Sequence, residues 1–383
     1  MKNRYNFDFS INRRLTHSYK WDVDCKTISL SIADTDFLVP KEISDAIKKR
    51  SDLGTYGYTY VPNEYYDAYI YWWKNRHNTL LKREWFTFST SVVASIDVII
   101  KRLSKENDGV SLFSPNYNVF YNCILNNHRV IKEVPLIYKE DYEIDFSLLE
   151  EALKESKIFI LCNPHNPIGR RFSEEEIIRI VDLCKKYDVY LISDEIHADL
   201  DYNEERYVPL LKVSDYEKGI TLLSPSKVFN VAGLHSSVVV SPNIELLNII
   251  EKGLGEDDVG EPSYFSIEPV IEAFTNCEEY VNEENEYIKI NREEVINFIK
   301  DNDLKIRVVG GRYTYLLWLD ISFYSKDTQK FVDGLKDKAK VVVGSGVIYH
   351  EYYSNFIRIN IATQKVIIKE FLNRLNDYLK ENY

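Results

Sequence analysis

The residue of this sequence best placed for covalent chemistry is a lysine flanked by hydroxyls at the end of an apolar run. Lys227 stands in Ser224-Pro225-Ser226-Lys227-Val228-Phe229-Asn230, directly after the apolar residues 220–223. At a strand end its charge is poorly solvated, and a lysine with a lowered pKa can form a Schiff base with an aldehyde. A surface lysine following a turn is the plainer reading of S-x-S-K taken alone. Two further polar groups also follow apolar runs. Asn166 lies in NPHNPIGR (163–170), whose prolines and glycine build a rigid turn that can aim its amide. Asp194 lies in SDEIH (193–197), as a carboxylate at the mouth of a sheet or as a helix N-cap. His197, on the same turn, either joins that polar group or fills the strand mouth. Asn, Asp and Lys in this order at successive strand ends are hard to attribute to chance.

The elements that must carry these residues alternate along the chain. Apolar runs at 110–113, 130–134, 158–162, 189–192, 220–223 and 237–240 read as buried strands with no polar face. Between several of them lie helical patterns such as 91–106 and 173–187, the latter opening with SEEE like a capping box. Such strands alternating with amphipathic helices predict an α/β fold with a mainly parallel sheet covered on both faces, its function at the carboxyl ends of the strands. After about residue 275 a charged helical stretch, antiparallel-looking strands at 313–319 and 356–359 and a last amphipathic helix predict a smaller α+β domain. Residues 41–275 are therefore assigned to a large domain and 276–383 to a small one. Residues 1–40 lack the rhythm and are expected to pack on the small domain or on a partner subunit.

Composition narrows the classes. The 383 residues are 45% hydrophobic and 28% charged, which predicts a packed globular chain rather than disorder. A formal charge of −12 repels phosphate backbones at long range, so nucleic acid is not expected as a partner, although one basic pocket for a single phosphate group stays open. Five widely spaced cysteines without a C-x-x-C pair suggest reduced thiols of a cytoplasmic protein, and no run reaches 18 apolar residues, so no membrane is expected. The seven histidines show neither H-x-x-x-H nor H-E-x-x-H spacing, which disfavours a metal hydrolase and leaves no metal ligand to name.

Taken together, NPHNPIGR, SDEIH and SPSKVFNVAGL resemble the fold type I pyridoxal-phosphate enzymes, the aspartate aminotransferase superfamily, over essentially the whole chain. The segments NRRLTHSYKWD (12–22), IADTDF (32–37) and GTYGY (54–58) are similar to those of the MalY/PatB type of cysteine-S-conjugate β-lyase (cystathionine β-lyase). The resemblance implies the PLP-dependent transferase-like fold, with a seven-stranded sheet in the large domain, and pyridoxal 5'-phosphate as cofactor. It implies that Lys227 holds the cofactor and removes the substrate's Cα proton, that Asp194 faces the pyridine nitrogen, and that Asn166 and His197 lie near the ring's phenolic oxygen. Tyr117, in SPNYNVFY (114–121), would stack on the ring, its alternative being a core tyrosine. Ser91 and Val92, opening a helix, would bind the phosphate together with Ser224 and Ser226; Ser91 is an N-cap, a phosphate ligand or both. Tyr58 would reach the phosphate of a neighbouring subunit, implying a homodimer with shared active sites. Arg358, in FIRIN (356–360), would clamp the carboxylate of an amino-acid substrate, its rival reading being a structural ion pair. Ala33 and Asp34 would approach the same substrate.

One departure bears on the reaction. Aminotransferases with S-K-x-F-N-x-A-G-L usually carry Arg eight residues after the lysine, whereas this chain has His235. The β-lyase relatives also lack that Arg. The expectation is therefore β-elimination of L-cystathionine or an L-cysteine S-conjugate to a thiol, pyruvate and ammonia. An aminotransferase is the alternative, because the same residues support either outcome, and a non-catalytic regulator on the same fold is a third possibility.

Overall fold

The computed structural model describes residues 4–202 and 206–383. In chain order the principal strands are β1 (Phe86–Ser89), β2 (Gly109–Ser114), β3 (Val130–Pro135), β4 (Ser156–Cys162), β5 (Tyr190–Asp194), β6 (Gly219–Leu223) and β7 (Ser237–Val240). They form one seven-stranded sheet in the order β1-β7-β6-β5-β4-β2-β3. The β6-β5-β4-β2-β3 pairings are all parallel, and only β7 runs antiparallel, to both of its neighbours. This is the mainly parallel α/β sheet that the alternation of apolar runs predicts.

Its central strands are buried on both faces. Ile158, Phe159, Ile160 and Leu161 of β4 are fully inaccessible, and each such side chain contributes about 1.5–3 kcal/mol relative to exposure. Two expectations are corrected at the margins. β3 has a partly polar, accessible pattern in which only Val134 is buried, because it is the sheet's edge strand and lacks a neighbour on one side. β1, at the other edge, was not among the expected strands; its run of four residues, FTFS, reads as alternation although all four are buried.

A second sheet is built from β8 (Arg307–Val309), β9 (Leu316–Asp320), β10 (Gly344–Ser345) and β11 (Phe356–Asn360), in the order β8-β9-β11-β10, every pairing antiparallel. The helices Glu278–Asp301 and Lys365–Asn382 accompany it. The N-terminal segment lies against these later elements: Ile28–Ser29 pairs in parallel with Val341–Val342, and Phe7 packs its ring against Tyr280 and Tyr287. All five cysteines are free, four of them buried. Among the described residues no helix is long and apolar enough to cross a membrane.

Candidate active site

The carboxyl ends of the parallel strands open into a cavity of about 990 Å³, closed on its far side by residues of the second sheet. Local structure explains how each strand end delivers its side chain. After β4 the chain turns through NPHNPIG, where Gly169 has φ +63 and a Cβ there would fall 2.7 Å from the Gly311 backbone. Only glycine tolerates both that conformation and that approach, so the turn is locked against the second sheet and Asn166 is fixed. After β5, the Asp194 carboxylate accepts from the Ile196 backbone N–H at 3.1 Å and thereby caps the SDEIH turn that carries His197. After β6, Ser224 Oγ donates to the Ser236 carbonyl at 2.8 Å, tying the lysine turn to the start of β7.

Electrostatics follow from burial. Asp194 is 4% exposed, and burial raises its carboxyl to about 7, opposed by the Ile196 N–H and by Lys227. The Lys227 ammonium is held below the usual lysine range by burial and then by Arg358, with Asp34 and Asp194 acting the other way. Its Nζ donates to the Ala33 carbonyl at 2.9 Å. Burial, with Lys227 and Arg358 adding to it, keeps His197 neutral far below the usual histidine range. Arg358 lies across the cavity on β11: Nη1 donates to Asn166 Oδ1 at 3.0 Å and Nη2 to the Ser31 carbonyl at 2.6 Å. The Tyr349 ring lies 5.2 Å from its guanidinium carbon.

The helix Val92–Leu103 begins at the cavity wall. Ser91 is its N-cap, accepting from the Ala94 N–H at 3.1 Å, and the helix's first N–H groups have no partner within the helix. Ser224 and Ser226 stand beside this end of the cavity, linked Oγ to Oγ at 2.8 Å, and His235 also lines it. The structure thus brings Lys227, Asp194, Asn166, His197, Tyr117, Ser91, Val92, Ser224, Ser226, Arg358 and Ala33 to one wall-to-wall cavity.

Two expected residues lie elsewhere. The Asp34 carboxylate does not line the cavity; it pairs with Arg13 at 2.6 Å and with Lys20 at 3.5 Å. Tyr58 is fully exposed and far from being enclosed by its own chain. Sequence reasoning also overlooked Tyr315, Tyr349 and Asn360. Asn360 was within reach, since on a strand it shares the face of Arg358 two residues before it.

A pyridoxal phosphate group fits what is present. The cavity holds a buried amine with a lowered pKa, a buried carboxyl lacking a cationic partner in contact, and a helix N-terminus with hydroxyls for an anion. Arg358 Nε and His197 Nδ1 are buried polar atoms without hydrogen-bond partners among the described residues. Such atoms cost free energy unless something else satisfies them.

Comparison with known proteins agrees with this chemistry. The sequence profile of aminotransferase class I and II matches residues 26–375. Cystathionine beta-lyase PatB of Bacillus subtilis is 31% identical, over 97% of this chain and 98% of the relative. Protein MalY of Escherichia coli is 28% identical, over 92% and 94%. The crystal structure of cystalysin from Treponema denticola, which contains pyridoxal 5'-phosphate, superposes with a TM-score of 0.93 at 30% identity, covering 98% of this chain and 99% of that one.

Proposed function

Since the chain belongs to the aminotransferase class I and II family, we propose that it is a pyridoxal-phosphate-dependent carbon-sulfur β-lyase. It cleaves L-cystathionine or related L-cysteine S-conjugates and, with one water, yields a thiol, pyruvate and ammonia. One observation above all supports the reading: an amine of lowered pKa, a carboxyl raised by burial and an arginine fork face one cavity, in a chain similar to lyases over nearly its full length.

Bound there, pyridoxal phosphate would supply an aldehyde carbon for amine chemistry and an electron-withdrawing ring. Lys227 would hold it covalently and, when free, would take the Cα proton, its ammonium lying below the usual lysine range through burial and Arg358. Asp194 offers a negative charge to the ring nitrogen, an interaction that favours its ionised form against burial. Neutral His197 and the amide of Asn166 contribute uncharged polar groups near the phenolic oxygen, and Tyr117 contributes a ring face. Ser91, Val92, Ser224 and Ser226 bind the phosphate with hydroxyls and helix N–H groups. Arg358 meets the substrate carboxylate bidentately, and Asn166, which already accepts from it, orients the fork.

Ala33 forms part of the wall over the substrate, and Asp34 acts on it through charge rather than contact. Tyr58, exposed in one chain, reaches the phosphate in a partner copy, so the active unit is a homodimer with shared sites. The enzyme works in the cytoplasm, where free cysteines stay reduced.

The test is turnover of L-cystathionine by the purified protein, following pyruvate and free thiol with no added 2-oxo acid. Equal release of both is expected. Turnover that requires a 2-oxo acid and yields no pyruvate would instead establish an aminotransferase.

A further inference from the structure

Ser31, Ile32 and Ala33 line the cavity, and in the strip 31–35 that they begin, five successive backbone carbonyls each accept a side-chain donor. Ser31 O accepts from Arg358 at 2.6 Å, and Ile32 O from Asn360 at 2.7 Å. Ala33 O accepts both from Lys227 Nζ at 2.9 Å and from the Tyr315 hydroxyl at 3.0 Å. Asp34 O accepts from Asn360 at 2.7 Å and from Lys20 at 3.2 Å, and Thr35 O from Asn230 at 2.9 Å and Arg13 at 3.1 Å. The donors come from strands and loops of both sheets and, for Lys20 and Arg13, from the N-terminal segment. Asn360, fully buried, holds the peptides on both sides of Ala33 and touches the Ala33 oxygen with neither bond, which leaves the Tyr315 hydroxyl to set the direction of that carbonyl.

A carbonyl oxygen has two acceptor sites, and here both are taken. The Tyr315 ring is buried, edge-on to His197 at 6.1 Å between centroids, which fixes where its hydroxyl points. Tyr315 therefore occupies one lone pair and leaves the other for the amine.

We propose that the Ala33 carbonyl is the seat of the Lys227 amine whenever that amine is not covalently committed, and that Tyr315 is the positioning residue that aims this carbonyl. The inference rests on the lyase reading only in taking Lys227 as the reactive amine. Its consequence is geometric and electrostatic. An oxygen in a fixed direction keeps the amine from swinging on its four-carbon stem, and it stabilises the ammonium once a proton has been taken, which partly offsets burial. The other charged or titratable groups around the amine are Arg358, which opposes the ammonium, and Asp34 and Asp194, which favour it; His197 stays neutral. None of these is a hydrogen-bond partner of Nζ among the described contacts, so the Ala33 oxygen is the group in direct contact.

The experiment measures Lys227 itself in the full-length protein freed of cofactor. Acetic anhydride is pulsed at a series of pH values, and the acetylated fraction of the Lys227 peptide is read by mass spectrometry, giving the amine's titration midpoint. In Tyr315→Phe, which keeps the ring and removes only the hydroxyl, the midpoint is expected to fall by about one pH unit, the scale of one hydrogen bond to a charged group. Asn360→Ala, which frees the neighbouring peptides, is expected to shift it in the same direction. In the cofactor-loaded Tyr315→Phe enzyme the acidic limb of the kcat profile should move likewise, to lower pH, with kcat reduced about tenfold and KM nearly unchanged.

A midpoint that is unchanged or higher in both variants overturns the proposal. Borohydride reduction of the loaded wild-type protein, with mapping of the labelled lysine, separately tests whether Lys227 carries the cofactor. A label on another lysine would sink the lyase assignment and leave the Lys227–Ala33 contact standing.

Discussion

Arg358 and Asn166, 192 positions apart in the chain, are joined by a 3.0 Å hydrogen bond from the arginine Nη1 to the amide Oδ1. The bond spans the two sheets, since Arg358 sits on β11 and Asn166 follows β4. The arginine proposed to bind the substrate and the amide proposed to lie beside the cofactor ring thus orient each other through this bond.

Arg358→Lys keeps the charge but loses the planar fork. KM for L-cystathionine should rise about 10- to 100-fold, with a smaller fall in kcat, because a point charge cannot meet a carboxylate bidentately and leaves Asn166 Oδ1 or Ser31 O without its donor. Steady-state kinetics decide this; an unchanged KM would assign Arg358 to structure alone.

Lys227→Ala should abolish the visible absorbance of lysine-bound cofactor and lower kcat by at least about 10³-fold. Both readouts come from one preparation, by absorption spectroscopy and by pyruvate release. Wild-type turnover in this variant would remove Lys227 from the mechanism.

Asp194→Asn makes a prediction whose sign depends on pH. Burial raises the folded carboxyl from 3.8 to about 7, so in the cofactor-free protein its ionisation opposes folding as pH climbs above the unfolded value. The amide variant without cofactor should therefore be more stable than wild type at pH 8, by up to about 4 kcal/mol, and the difference should vanish towards pH 4. With cofactor bound the order in activity reverses: kcat is expected to drop about 10²- to 10³-fold, since the amide carries no charge for the ring nitrogen. Thermal melts of the cofactor-free proteins across pH check the first half, and pyruvate release by the loaded enzymes checks the second.

Tyr58→Ala should leave the melting temperature of the chain unaltered, because the side chain is fully exposed. It should nevertheless weaken cofactor retention about tenfold, by loss of one hydrogen bond to a charged phosphate. At limiting cofactor, where Tyr58→Ala is largely unloaded and Lys227→Ala inactive, mixing the two should restore activity through hybrid dimers that contain one intact site. Absence of any recovery after subunit exchange would exclude a site shared in this way.

What the sequence determined by itself is the list of strand ends and what they carry. The runs 158–162 ahead of Asn166, 189–192 ahead of Asp194 and 220–223 ahead of Ser224, short and bounded by turn signals, read as buried strands because little polar face is left for water. The polar residues that follow each run then emerge near the sheet's mouth, and the resemblance of NPHNPIGR, SDEIH and SPSKVFNVAGL to fold type I pyridoxal-phosphate enzymes is what implies one shared site for Asn166, Asp194 and Lys227. Ser173 and Glu176 likewise form the reciprocal cap that SEEE announces, since capping is local.

Tertiary structure alone decided the partners that lie far apart in the chain. The Asp34 carboxylate turns to Arg13 and Lys20, away from the cavity, because the partly buried Arg13 and the buried Lys20 both pair with it. Tyr315 and Asn360 become parts of the site only because an antiparallel sheet folds back over residues 31–35. Periodicity reports which face of its own element a side chain takes. It does not report which distant carbonyl that face will meet, because that is fixed by how the two sheets pack.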